Sequence, residues 1–396
     1  MVRIFWAALL LGLAGAGLAQ DMPAARHDMA AKWLARQAVA RPLALAASFD
    51  AKGRLWAAWV EGGQLRVARS EDGRHFTWPV IVNALPETIA AEGESRPQLA
   101  VSGDGTLHLV WSIALAKPYT GHVRYSRSTD GGRSFSAPIT LNDDSAEISH
   151  RFPALLVEGR RVLVAWLDAR ERQAAQAAGE KFAGASLYLA ESGDGGASFG
   201  PNRRFVAHSC ECCRLALAWR QGAPMALWRQ VFDGGVRDFA LADLRDPASL
   251  QRASDDDWRI DGCPHHGGGL AADDQGRLHL VWFTQGRLRQ GLFYRHADPG
   301  RFSPPMKFGN DAAQAGHPAV LATGRNVTLA WLEFDGQTNQ VWTLHSRDRG
   351  RHWGPPRRLA TSAGGVDYPI LLARAGKPWL VWHSEREGLR AWALTP

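Results

Sequence analysis

The chain repeats one apolar strand pattern along most of its length. In each copy a short, mostly apolar run ends in tryptophan, as in Leu107-His108-Leu109-Val110-Trp111. The copies end at Trp59, Trp111, Trp166, Trp228, Trp282, Trp331 and Trp382, so neighbouring copies are 52, 55, 62, 54, 49 and 51 residues apart. Seven copies with a period near 50 residues predict an all-β propeller in which each copy forms one blade of four antiparallel strands.

A second motif opens each copy and is predicted to form the innermost strand of the blade. Arg96-Pro97-Gln98-Leu99-Ala100 is one example. A turn such as Ser102-Gly103-Asp104-Gly105 then leads to the tryptophan strand, because Asp-Gly pairs readily adopt the positive φ of tight turns. Since innermost strands surround the central channel of a propeller, the loops that precede them are expected to meet at one face.

A third motif, S-x-D-x-G-x-x-[FW], follows most of the tryptophan strands. It is complete at 128–135, 192–199 and 346–353, one residue short at 70–76, and degraded at 296–302. The aspartate can accept backbone N–H groups within the turn, and the glycine supplies a positive φ. The aromatic residue can pack beneath the blade. These turns are therefore expected to be structural, and no catalytic role is assigned to Asp72, Asp130, Asp194 or Asp348.

This motif is similar to the Asp-box, or BNR repeat, of the sialidase superfamily, and the resemblance covers residues 41–396. It implies a β-propeller whose Asp-boxes lie on outer turns, away from the active face. Sialidases have six blades, whereas the repeats favour seven blades here, with six as the alternative. The last repeat provides only three predicted strands. Residues 34–40 are the candidate for the fourth strand, which would close the ring and remove its exposed edges; a helix over 29–36 is the competing prediction.

The first 19 residues have the features of a signal peptide. The positive charge of Arg3 precedes an apolar run over residues 4–18, and Gly17 and Ala19 are small enough for cleavage after Ala19. The run is short for a membrane span, and the sequence has no second one. We therefore expect a periplasmic or secreted protein with no integral membrane segment after signal cleavage. Residues 20–40 form an N-terminal segment, and 41–396 form the propeller.

Charge and composition narrow the choice of ligand. The formal net charge is +7 and comes mostly from scattered arginines, which favours a small anionic ligand or an anionic glycan. Nucleic acid is not expected as a partner, because an exported protein rarely meets it. The 41 glycines and 21 prolines are typical of short strands joined by tight turns.

The loops before the innermost strands hold the candidate chemistry. The residues at these positions are Arg41, Arg96, His150-Arg151, Cys213-Arg214, His265-His266, His317 and Asp367-Tyr368. All four cysteines lie in two of these loops, which are one repeat apart. Sulfur and imidazole donors suit a soft metal ion, copper first and zinc second. The predicted ligands are Cys210, Cys212, Cys213, Cys263, His265, His266 and His317.

Disulfide formation is the alternative use of the four cysteines. An even number of cysteines in an oxidising compartment favours two disulfides, and the protein would then be a non-catalytic scaffold for a protein partner. Cys212 and Cys213 are adjacent and pair poorly with each other. Free thiols, or one disulfide with histidine ligands left over, are further alternatives.

The resemblance to sialidases implies different chemistry in the same loops. Sialidases hold the substrate carboxylate with three arginines, attack with a tyrosine that opens the last repeat, and use an aspartate as acid and base. Arg96, Arg151, Arg214 and Tyr368 match the arginines and the tyrosine by position, and guanidinium groups bind carboxylates through two parallel hydrogen bonds. If the chain is an enzyme, the resemblance implies a glycoside hydrolase of the exo-α-sialidase type.

Besides the blade count, the sequence departs from the sialidase pattern in three respects. No aspartate in the position of the acid/base residue follows the first arginine, and the cysteine cluster is not part of a sialidase site. The glutamate that should activate the tyrosine has only Glu385 and Glu387 as candidates.

Overall fold

The computed structural model describes residues 43–395, which consist of β-strands, their connections and one α-helix. The described residues belong to one compact unit. The predicted signal peptide, the N-terminal segment with its ring-closing strand, and Arg41 all lie outside the described residues, so these remain predictions.

The first three repeats contain twelve strands. The first repeat has β1 (Leu45–Phe49), β2 (Leu55–Glu61), β3 (Gln64–Ser70) and β4 (Val80–Ile81). The second has β5 (Gln98–Val101), β6 (Leu107–Ala114), β7 (Gly121–Ser128) and β8 (Ile139–Thr140). The third has β9 (His150–Glu158), β10 (Arg161–Asp168), β11 (Ala185–Ser192) and β12 (Arg203–Ser209).

The last four repeats contain sixteen strands. The fourth repeat has β13 (Ala216–Arg220), β14 (Ala223–Phe232), β15 (Val236–Asp243) and β16 (Gln251–Arg252). The fifth has β17 (Gly269–Ala272), β18 (Leu278–Gln285), β19 (Gln290–Asp298), β20 (Arg301–Phe302) and β21 (Met306–Phe308). The sixth has β22 (Gly316–Thr323), β23 (Asn326–Phe334), β24 (Asn339–Ser346) and β25 (Arg357–Ser362), and the seventh has β26 (Ile370–Arg374), β27 (Lys377–Ser384) and β28 (Gly388–Ala393).

Within each repeat the strands pair antiparallel in chain order, except that β20 and β21 both pair with β19. This arrangement confirms the predicted all-β propeller architecture. The described strands form six sheets rather than seven, because a pairing between Ser209 and Gln230 joins the third and fourth repeats into one sheet of eight strands. The count of seven blades, with six as the alternative, therefore stays a prediction.

The first strands of the repeats surround a common axis. Strands β1, β5, β9, β13, β17, β22 and β26 contact one another in that order, and β26 also contacts β1. The ring is fastened where it closes, because the buried carboxylate of Asp367 accepts hydrogen bonds from the amide of Leu45 and the guanidinium of Arg96. A side chain before β26 thus joins β1 to the loop before β5.

The tryptophans that define the repeat form the centres of the sheets. From Trp111 onward, each of them is buried, and its indole N–H has a hydrogen-bond acceptor. In three repeats the acceptor lies two residues further along the same strand, as in Trp166 to Asp168 at 2.9 Å. Residues i and i+2 share one face of a strand, so the polar partner is buried together with the ring. Burying an indole without such a partner would leave its N–H unsatisfied.

The aspartate turns have the hydrogen bonds that the sequence predicted. In each of the four turns an aspartate oxygen accepts two backbone N–H groups, as Asp194 does from Ala197 and Ser198 at 2.9 and 3.0 Å. The preceding serine hydroxyl accepts the N–H of the turn glycine, as Ser192 does from Gly196.

These turns also join neighbouring repeats. A Cβ at Gly196 would overlap the Tyr125 hydroxyl of the preceding repeat, so the glycine is needed for the close approach. The equivalent glycines approach the preceding repeat in the same way: Gly132 faces Trp56, Gly350 faces Tyr294, and Gly73 faces Ala391 of the seventh repeat.

One helix, α1 (Arg170–Ala177), was not anticipated from the sequence. It lies between β10 and β11 in the third repeat and buries none of its residues. Its insertion accounts for the longest tryptophan spacing, from Trp166 to Trp228. Within residues 43–395, no helix has the length and apolar character needed to cross a membrane.

Candidate functional site

The predicted site residues lie in two neighbouring groups. The axial cluster is formed by Glu94, Arg96, Arg214, His266, His317, Asp367 and Tyr368. The sulfur cluster is formed by Cys210, Cys212, Cys213, Cys263 and His265. Arg214 directly follows Cys213, and His266 directly follows His265, so two loops contribute to both clusters.

Tyr368 lies at the centre of the axial cluster. Its ring stacks on His317 with centroids 3.6 Å apart, and the guanidinium carbons of Arg96 and Arg214 lie 5.0 and 5.6 Å from its centroid. A Cβ at Gly93 would overlap the phenol group, so the hydroxyl end of the ring lies against backbone. Burial, followed by the charge of Glu94, raises the pKa of Tyr368. The phenol is therefore neutral near pH 7.

Arg96 is held by a buried carboxylate. Its Nη2 lies 2.6 Å from Asp367 Oδ1 and its Nη1 lies 3.1 Å from Oδ2, which is a two-point ion pair with both side chains buried. Asp367 also accepts the amide N–H of Tyr368 at 2.7 Å. The ion pair therefore fixes the start of the last repeat.

Arg214 is held in the same manner by Glu94. Arg214 Nη1 lies 2.6 Å from Glu94 Oε1, and Glu94 Oε2 accepts the amides of Arg214 and Gly267 at 2.9 and 2.8 Å. Burial alone would raise the pKa of Glu94. The positive charge of Arg214, the nearby His317 imidazole and the hydrogen bond from the Arg214 amide outweigh burial and lower this pKa to about 2. Glu94 is thus ionised and joins the loops of three repeats.

Arg151 has a different surrounding from the other two predicted arginines. Its Nη2 lies 2.7 Å from Glu92 Oε1, and the carboxylate of Glu92 is about half exposed. Its guanidinium also lies 5.3 Å from the ring of Phe152. All three arginines that the sialidase resemblance selected are therefore paired with a carboxylate of the protein itself.

The glutamate next to Tyr368 is not one of the two that the sequence suggested. Glu385 accepts the amide of Gly365, and Glu387 accepts the hydroxyl of Ser384, so both stabilise turns of the last repeat. Glu94 is the buried glutamate whose charge acts on Tyr368. Its only signal in the sequence is its position two residues before Arg96, in a loop already expected to face the axis.

Three cysteines of the sulfur cluster form a buried triangle. The Sγ atoms of Cys210, Cys212 and Cys213 lie 3.7, 3.9 and 4.0 Å apart. The loop is fixed at its start, because the amide of Cys210 donates to the carbonyl of Arg229 at 2.8 Å. Arg237 Nη1 lies 3.1 Å from Cys210 Sγ. Hydrogen bonds from the two neighbouring thiols, together with the charge of Arg237, lower the pKa of Cys210.

A second group of donors shares Cys212. The ligand atoms of Cys212, Cys263 and His265 lie within 4.8 Å of one another, and Cys263 and His265 are exposed. The nearby Cys212 thiol and His265 imidazole lower the pKa of Cys263 to about 5. His265 has a φ of +51°, a left-handed conformation that turns the chain between His265 and His266.

The other two predicted metal ligands belong to an aromatic stack. His266 lies 4.6 Å from His317 and 4.0 Å from Phe283, measured between ring centroids. Burial and the neighbouring His317 lower the pKa of His266 to about 3, so it is neutral near pH 7. Five of the seven predicted ligands thus form the sulfur cluster, and two form the stack that ends at Tyr368.

The structure contains no disulfide among the four cysteines, all of which are described. They are free, and the shortest distance within the cysteine triangle is 3.7 Å, compared with about 2.05 Å in a disulfide. The alternative of two disulfides therefore does not describe this geometry.

A third group of donors, Asp144, His150 and Asp168, is already paired with an arginine. Arg170 Nε lies 3.0 Å from Asp144, and its Nη2 lies 3.0 Å from Asp168. The guanidinium of Arg170 thus already bridges the two carboxylates of this group.

Comparisons with known proteins support the fold. No protein-family model matches the chain, and no curated protein matches its sequence. Among solved structures, a PL25 ulvan lyase bound to -[GlcA(1-4)Rha3S]- has a TM-score of 0.54 at 10% identity, covering 90% of this chain and 93% of its own. An α-L-arabinanase from Penicillium chrysogenum has a TM-score of 0.51 at 14% identity, covering 90% and 94%. The chain thus has the β-propeller fold found in these enzymes, at an identity that shows the fold alone.

Proposed function

We propose that the protein binds a soft metal ion, copper(I) first and zinc second, at Cys210, Cys212 and Cys213. The cysteine triangle is the observation that carries this proposal. Three sulfurs bound to one ion at about 2.3 Å lie about 3.8 Å apart in a tetrahedron and about 4.0 Å apart in a trigonal plane. The observed separations of 3.7, 3.9 and 4.0 Å match these values without movement of the loop.

The chemistry of the donors favours copper(I) over zinc. Thiolates select soft ions, and three sulfurs complete a trigonal site. Zinc prefers four ligands and would draw its fourth from Cys263 or His265. Arg237, 3.1 Å from Cys210 Sγ, offsets part of the negative charge that the thiolates bring into a buried position.

Metal analysis tests the proposal directly. Tag-free, reduced protein loaded anaerobically with copper(I) or with zinc should retain at least one ion per chain after desalting, as measured by elemental analysis. Cys213→Ser should weaken binding at the cysteine triangle by roughly 100-fold or more, since loss of even a residue that only supports a ligand costs 10- to 100-fold. His352→Ala is the matched control, because His352 is exposed and bound to Asp348 in an aspartate turn.

Substoichiometric metal with both ions would overturn the proposal. Circular dichroism of each variant shows whether a loss of metal reflects a loss of folding. The intact mass, measured without reductant, tests the alternative of a scaffold with two disulfides, since two disulfides would lower the mass by about four hydrogens.

A carbohydrate-active function is the second candidate, favoured by the likeness to the ulvan lyase and the arabinanase and by the net charge of +7, which suits an anionic glycan. The sialidase form of this function requires Arg96, Arg151 and Arg214 to exchange their present carboxylate partners for a substrate carboxylate. A fluorogenic sialoside, assayed with the parent and with Tyr368→Phe, tests it, and absence of turnover by the parent removes it.

A further inference from the structure

The sulfur cluster has more donors than one ion can use. Cys212 belongs both to the buried triangle with Cys210 and Cys213 and to the group with Cys263 and His265. A soft ion of this class takes three or four protein ligands. Five donors arranged as two triads that share one sulfur therefore offer two positions rather than one.

We infer that the sulfur cluster binds two copper(I) ions bridged by the Cys212 thiolate. The inference rests on the proposed metal-binding function and extends it. The inner ion is held by Cys210, Cys212 and Cys213, and the outer ion by Cys212, Cys263 and His265. A thiolate sulfur has several lone pairs and can bond to two soft ions at once, and each ion then has three ligands.

Burial gives the two positions different roles. The three cysteines of the inner position are buried, whereas Cys263 and His265 are exposed. Solvent and donor molecules therefore reach the outer position first. An ion arriving there can pass to the inner position while it stays bonded to Cys212, so the outer position loads the inner one.

Proton and charge balance follow from the ligand set. All four cysteines bind as thiolates, and each thiol that still carries a proton releases it to solvent when the ions bind. Two copper(I) ions and four thiolates leave a net charge of −2, and His265 binds as the neutral imidazole. Arg237 lies next to Cys210 and partly offsets this charge.

The stoichiometry of copper(I) binding tests the inference. Full-length, tag-free protein is titrated anaerobically with copper(I) against a chromophoric chelator, and two ions per chain are expected. Cys263→Ser and His265→Ala should each retain one ion with the inner affinity changed less than about threefold. Cys212→Ser should lose both positions, and Cys213→Ser only the inner one. His208→Ala is the control, because His208 lies just before the same loop and binds the carbonyl of Ala183.

The possible outcomes separate this inference from the proposed function. X-ray absorption of the loaded parent should show a metal–metal distance no greater than about 4.6 Å, since both ions lie about 2.3 Å from one sulfur. One ion per chain in the parent, unchanged in Cys263→Ser, would overturn the bridged pair and leave the single-ion site intact. No bound ion would end both. Thermal unfolding of each metal-free variant distinguishes lost ligands from lost folding.

Discussion

At the scale of single residues, the contacts between repeats depend on glycine, because a side chain at these positions would overlap the preceding repeat. Gly196 has a φ of +76°, and a Cβ there would overlap the hydroxyl of Tyr125 in the preceding repeat. Gly195 has the same φ, but a Cβ there would meet only Arg127, at 3.8 Å. The two adjacent glycines therefore separate the effect of backbone conformation from the effect of close packing.

Gly196→Ala is expected to destabilise the protein more than Gly195→Ala. Both variants place alanine in a left-handed conformation, which costs about 1–2 kcal/mol. Gly196→Ala adds overpacking of about 1–3 kcal/mol, because Tyr125 and its neighbour must move. Urea unfolding of both variants measures the difference. Equal destabilisation would show that the turn does not hold the two repeats together through this contact.

At the scale of the loops and strands, buried carboxylates set the positions of the site elements. Glu94 binds the amides of Arg214 and Gly267, and thereby attaches the loops before β13 and β17 to the loop before β5. The partners are 120 and 173 residues away in the chain. Removing one partner of a buried ion pair costs about 3–5 kcal/mol, because it leaves the other charge unpaired.

Glu94→Gln is expected to lower the free energy of unfolding by about 3–5 kcal/mol at pH 6. The folded-state pKa of Glu94 is about 2, below its ordinary 4.5, so its contribution is present above pH 4.5 and is lost as the pH falls toward 2. The parent and the variant should differ less in their free energy of unfolding at pH 3 than at pH 6, by about 2 kcal/mol. Urea unfolding at both pH values measures it.

Glu92→Gln is the control for this effect. Glu92 pairs with Arg151 at a half-exposed position, where an ion pair contributes about 0–1 kcal/mol. If the free energies of unfolding of the parent and Glu94→Gln differ by the same amount at both pH values, the prediction is contradicted.

The sequence predicted the elements more completely than the site. The tryptophan spacing and the aspartate turns predicted the all-β architecture, the strand order and the turn hydrogen bonds, because these follow from local periodicity. Helix α1 interrupts one repeat and has no such period. Side-chain directions within a loop also follow no period that the sequence would reveal. His265 and His266 are adjacent, yet the first joins the sulfur cluster and the second stacks on His317. The role of Glu94 depends on partners in other repeats.

At the scale of the whole molecule, one carboxylate fastens the ring where the described chain begins and ends. Asp367 precedes β26 and binds both the amide of Leu45 in β1 and the guanidinium of Arg96. His383 also bonds to the carbonyl of Leu43. The stability of the first and last repeats is therefore expected to be coupled.

Asp367→Asn is expected to lower the free energy of unfolding by about 3–5 kcal/mol, because it leaves the buried Arg96 without a counter-charge. Amide hydrogen exchange should become faster in β1 and β26 together, since both lose the same anchor. Asp311→Asn is the control, because Asp311 pairs with Lys307 on the surface. Faster exchange confined to the loop around Asp367 would contradict the coupling.

The direction in which the aspartate turns face has a consequence for biosynthesis. Gly132, Gly196 and Gly350 each fit against an aromatic side chain of the repeat made just before, so the receiving surface already exists when the turn leaves the ribosome. Gly73 is different, because Ala391 and Trp379, which it faces, belong to the seventh repeat and are made after the other six. The first repeat of a nascent chain must therefore wait with this flank uncovered until the seventh repeat has been made.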